Sequence, residues 1–105
     1  MSLNVRKEPS GVVVIAVDGQ LIVGNRQELK QRILDALEAG DRKFLIDFAL
    51  TGYIDSSGLG VLVSLSKKIR DQGGDLRLSG LNEDLKTLFE LTKLDTLFAI
   101  ADTAE

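Results

Sequence analysis

Residues 54–60 read Ile-Asp-Ser-Ser-Gly-Leu-Gly. One carboxylate, Asp55, precedes two hydroxyls, Ser56 and Ser57, and the glycines at 58 and 60 remove bulk just beyond them. Four chemistries use groupings of this kind. A dinucleotide fingerprint, G-x-G-x-x-G, requires a third glycine where Val63 stands. A phosphate loop requires Lys directly after its last glycine, and Val61 follows Gly60. A nucleophile elbow, G-x-S-x-G, fails because Ile54 occupies the first glycine position and the chain has no His to activate a serine. The fourth chemistry makes a serine the acceptor of a phosphoryl group delivered by another protein. That needs an exposed hydroxyl at a helix start, where free backbone N–H groups and the helix dipole tolerate an added anion. A plainer reading stands beside it: Asp or Ser before a helix is a common cap, contributing ~1 kcal/mol, and the glycines would serve close packing. Residue types and spacing leave both readings open.

Composition narrows the function further. The 105 residues include no Cys and no His, which removes disulfides, thiolate and imidazole metal sites and the side chains most used as nucleophile and base near neutrality. The expectation is a chain that is not an enzyme, with no catalytic residue, metal or cofactor. A net charge of −3 without a basic stripe argues against direct nucleic-acid binding. No apolar run reaches the ~20 residues of a membrane span, and the N-terminus lacks a signal-peptide pattern, so a cytoplasmic chain without membrane insertion is expected.

The segment needs elements to hold it. Residues 3–7 alternate as an edge strand, Pro9-Ser10-Gly11 supplies a turn, and residues 12–17 form a β-branched run, which together predict an N-terminal hairpin. Asn25 is placed to cap a helix with Leu29, Ile33, Leu34 and Leu37 on one face, and Gly40 to end it. Residues 44–48 predict a central strand, and the Asp-Ser-Ser segment follows. A second helix runs from about Ser57 to Asp71 and closes at Gly73-Gly74. Residues 76–78 give a strand, Asn82 caps a third helix, residues 97–100 give a last strand, and the final residues fray. The order β-β-α-β-α-β-α-β predicts one α/β domain over residues 1–105, with a mostly parallel sheet of about five strands.

The string Ile54-Asp55-Ser56-Ser57-Gly58-Leu59-Gly60-Val61-Leu62 resembles the signature of anti-sigma factor antagonists, the STAS domain proteins: an apolar residue, then D-S-[ST]-G-[LI]-G. Asp18-Gly19-Gln20-Leu21 resembles their G-x-L turn after the second strand. Gly73-Gly74-Asp75-Leu76 resembles the G-G before their fourth strand, and Leu88-Phe89 with Leu94 resembles their helix end. The resemblance implies a STAS-type β-α superhelix with helices packed against the sheet. It also implies a bacterial partner-switching protein. The unphosphorylated form would bind an anti-sigma factor that is also a serine kinase, phosphorylation of the first hydroxyl after the Asp would inactivate it, and a serine phosphatase would restore it. By position that acceptor is Ser56.

The implied partner surface joins Leu21, Ile22 and Asn25 to Asp55, Ser56, Ser57, Gly58, Leu59 and Gly60. At one position the chain departs from the family: many members carry Asp after the G-x-L, where this chain has Ile22 followed by Val23. Ile22 is expected either as core or as an apolar contact at the rim, core being the simpler reading. A monomer or weak dimer is expected. Two rival functions remain: an accessory STAS subunit of a transporter or signalling complex, and a small-ligand-sensing module.

Overall fold

A computed structural model of the chain describes residues 2–101. Its second strand does not stop where the apolar run stops. Strand β2 spans Val13–Leu21, and its two halves have different neighbours on one side. Strand β1, Ser2–Lys7, lies antiparallel to it, with Leu3 opposite Val17 and Val5 opposite Ile15. Strand β3, Lys43–Asp47, runs parallel to the first half, from Val13 opposite Phe44 to Ala16 opposite Asp47. The second half pairs with a strand that the sequence reading lacks, β4, Thr51–Ile54. Gly19 therefore sits inside a strand, not in a turn after it. The register slips between Gly19 and Gln20, and Gly19 takes φ +112°, a bulge that re-aims the end of β2. The buried Thr51 hydroxyl donates to the Val17 carbonyl at 2.6 Å and fastens β4 at that slip.

Strands β5, Asp75–Ser79, and β6, Ala99–Ala101, extend the sheet in parallel, giving the order β1-β2-β3-β5-β6 with β4 beside β2. Among the described residues the sheet has six strands, against about five expected, because β2 continues past its bulge and β4 pairs with it. The last strand starts at Ala99, two residues later than expected. Lys93, at φ 63°, instead opens a 3-10 turn over Leu94–Thr96. The fraying expected of the final residues falls on 102–105, outside the described residues.

Helices α1, Arg26–Glu38, α2, Ser56–Asp71, and α3, Glu83–Leu91, share one core with one face of the sheet. There Val13, Ile15, Phe44, Ile46 and Leu78 meet Leu29 and Ile33 of α1, Leu62 and Leu65 of α2, and Phe89 of α3. Period-2 strands and 3.6-period helices present these residues to a common side, and their burial drives the assembly. Side chains of the opposite pleat, among them Val14, Leu45, Arg77 and Ala99, line an open groove of about 590 Å³. No helix of the described residues is long and apolar enough to cross a membrane.

Helix ends follow from local chemistry. Past α1, Gly40 takes φ +104° and its amide bonds the Leu37 carbonyl, while the Asp41 amide reaches Ala36, both at 3.0 Å. At the start of α3 the Asn82 side chain accepts the Leu85 amide at 2.8 Å, as expected of a cap. Asn25 does not cap α1. Its side-chain oxygen accepts the Ile22 amide and its amide nitrogen donates to the Gln20 carbonyl, each at 2.9 Å, so it braces the preceding loop instead.

Candidate phosphoacceptor site and partner surface

Parallel β2 and β4 end together, Leu21 opposite Ile54, and each hands its chain to a helix. The loop 22–25 and the start of α2 are thereby adjacent at the carboxyl end of the strands, where open α/β sheets place their sites. Asp55 joins them. Its Oδ1 accepts the Gly58 amide at 2.7 Å, capping α2, and its Oδ2 accepts the Val23 amide at 3.1 Å from across the gap. The Asp55 amide itself donates to the Leu21 carbonyl at 3.1 Å. The cap reading of the segment is thus realised in Asp55. With each carboxylate oxygen accepting a backbone N–H, Asp55 also anchors the loop to the helix.

The hydroxyls differ. Ser56 is exposed as the first residue of α2, whereas Ser57 is half-buried. Neither hydroxyl makes a hydrogen bond among the described residues, and the Ser56 and Ser57 amides likewise bond no acceptor there. Those unused N–H groups are the positive end of the helix dipole, a setting that accepts an added anion.

The glycines separate by the space around them. A Cβ on Gly58 would lie 2.5 Å from the Leu21 carbonyl oxygen and 2.8 Å from Ile54 Cγ2, so Gly58 lets α2 close onto the end of β2. A Cβ on Gly60 would meet nothing within 4 Å. Packing explains the first glycine only. Gly58→Ala is expected to destabilise by ~1–3 kcal/mol through overpacking against backbone. Gly60→Ala should stabilise by about 0.8–1 kcal/mol through helix propensity. Urea denaturation of the two variants checks this opposite pair of signs.

Among the other expected partner residues, Leu21 and Leu59 are buried in the core and support the surface from beneath. Asn25 braces the loop. Ile22 is half-buried and stands outside the core cluster, so the core reading does not hold. The sequence reading singled out no role for Val23. It is the side chain displayed, 62% exposed, with its amide pinned by Asp55. Adjacent apolar residues give no periodic signal of which one points outward, and only the loop's hydrogen bonds decide.

The chain matches the STAS domain family model over residues 5–105. An anti-sigma-B factor antagonist of Bacillus subtilis is 31% identical to it over 106 residues, covering 100% of this chain and 96% of that protein. A Thermotoga maritima structure described as an anti-sigma factor antagonist superposes with a TM-score of 0.90 at 29% identity, covering 97% of this chain and 87% of that one. The Bacillus cell fate determinant SpoIIAA, solved in its phosphorylated form, shares the fold with a TM-score of 0.75 at 19% identity, over 96% of this chain and 92% of its own. The chain belongs to the STAS domain family, within its anti-sigma factor antagonists. Such proteins are regulatory binding partners of anti-sigma factors.

Proposed function

We propose that this chain works as a phosphorylation-controlled switch. Unmodified, it binds an anti-sigma factor that is also a serine kinase and so frees a sigma factor; phosphorylated on Ser56, it lets that partner go until a phosphatase removes the group. The observation that carries this reading is Ser56 itself, exposed, unbonded and first in its helix, beside an open Gly60 that leaves room for a kinase to approach. The balance of the step fits the residues present. Ser56 Oγ attacks the terminal phosphorus of ATP, the bond from that phosphorus to ADP breaks, and the hydroxyl proton passes to a base. Asp55 is engaged as the helix cap and loop brace, and the base is assigned to the kinase. The partner surface comprises the loop 22–25 and the first turns of α2.

The test is incubation with ATP and each histidine-kinase-like ATPase of the source cell, followed by peptide mapping. Phosphate is expected on Ser56, and Ser56→Ala should abolish it while Ser57→Ala retains it. Phosphate on Ser57 alone would move the acceptor by one residue, and phosphate on neither would remove the switch.

A further inference from the structure

Charge is spread unevenly over this molecule. Although 28% of the residues are charged, residues 19–25 carry no charge, and between residues 48 and 66 Asp55 is the only one. Burial accounts for the inward side of α2 but not for its outward side. On a solvated helix face the exposed positions are expected to be charged or strongly polar. The second half of α2 obeys this, with Lys67, Lys68, Arg70 and Asp71 exposed. The first half presents Ser56, Gly60, Val63 and Ser64 instead. Positions 56, 60 and 63 lie on one stripe of the helix. Val63 is 37% exposed, and Val23, whose amide is held by Asp55 next to Ser56, is 62% exposed. Along the chain these charge-poor stretches are bounded by Asp18 and Arg26 and by Asp47 and Lys67, the last about three turns up α2. Depletion of charge around a small apolar centre, with charge returning at the margin, is the compositional mark of a protein–protein contact.

We infer that the partner meets this chain with a charge-poor, apolar face, in which Asp55 is tied to backbone amides and the exposed Val23 and Val63 seat around Ser56. The identity of that partner rests on the functional reading above; the chemistry of the face does not. Such a contact has no cationic pocket waiting for a carboxylate, since Ile22 and Val23 supply none in this loop. Association is then driven by apolar burial and is nearly blind to ionic strength, since there are few charges to screen. The same neutrality makes Ser56 an effective switch point, because a phosphate placed there finds no partner cation.

The experiment titrates the chain with the kinase that modifies Ser56. Its Kd should change less than about threefold between roughly 0.05 and 0.5 M salt. Val23→Ala should weaken binding about tenfold, and both Val23→Asp and Val23→Lys about a hundredfold, with melting temperatures unchanged because the side chain is exposed. An apolar pocket refuses either sign, whereas a charged pocket accepts one. Tenfold or greater weakening by salt, or full binding by one of the two charged variants, would overturn the inference. If no kinase modifies Ser56, the functional reading fails and the face is probed on the chain alone with isopropanol as a neutral apolar probe. Amide shift changes in the NMR spectrum should then cluster at Val23, Gly60 and Val63. Clustering on the sheet groove around Val12 and Leu45 would contradict it.

Discussion

Phosphorylated on Ser56, the chain is expected to melt within a few degrees of the unmodified protein yet bind its anti-sigma partner at least a hundredfold more weakly. Phosphoserine adds about −1.5 to −2 charges near neutrality. At the start of α2 the dipole and the unused Ser56 and Ser57 amides favour that charge by ~0.3–1 kcal/mol. Asp55 opposes it by ~0.2–1 kcal/mol, since the phosphate on this exposed residue stays in water. The local contributions nearly cancel, so the fold has no reason to rearrange. In a closed interface the phosphate loses its water and meets atoms fitted to a neutral hydroxyl. Mismatched charge in such a place costs several kcal/mol, and about 2.7 kcal/mol already makes a hundredfold. The interface decides the outcome. Differential scanning calorimetry and titration of the same samples check both halves.

Asp55→Ala should cost about 2–4 kcal/mol of folding stability and loosen the partner loop as well. The carboxylate is the common acceptor for the Gly58 amide at 2.7 Å and the Val23 amide at 3.1 Å. A hydrogen bond to a charged group contributes ~1.5–3 kcal/mol, and an N-cap ~0.5–2 kcal/mol. Asp55→Asn separates the two roles. Its oxygen still caps Gly58, but the other arm now presents N–H to the Val23 N–H, so that bond is lost. Asn should therefore retain most of the stability while the loop 22–25 moves and partner affinity falls about tenfold. Hydrogen exchange at Val23 and a urea titration distinguish the variants. Slow exchange at Val23 in Asp55→Asn would mean that the loop holds itself.

Much of the fold was legible because its signals are local. Gly40 and Gly73 mark helix ends, Asn82 caps α3 and Asp55 caps α2, each through a hydrogen bond spanning a few residues. Strand β4 was not legible. Thr51–Ile54 is short, includes Gly52, and becomes a strand only because β2 continues past its bulge to offer a partner. That pairing is long-range, and a window along the chain does not contain it. Asn25 failed as a cap for a related reason. An Asn before a helix can bond forward or backward, and here the loop beneath α1 claims it. At the candidate site, the family resemblance of the Asp-Ser-Ser-Gly string singled out Ser56, but the neighbouring loop is held by Asp55 from 32 positions away. Hence Val23 stayed hidden while its neighbour Ile22 drew notice, and the differing duties of Gly58 and Gly60 emerged only from the space around each.

The central claim is that one reversible phosphate on Ser56 sets whether the partner is held. It is tested most directly by isothermal titration of a single preparation against the anti-sigma kinase in three successive states: unmodified, phosphorylated with kinase and ATP, and treated with a serine phosphatase. The expected result is binding, loss of binding by a hundredfold or more, and recovery of the original affinity, with Ser56→Ala holding the partner throughout. Equal affinity in the first two states, or a loss that phosphatase treatment does not reverse, would contradict it.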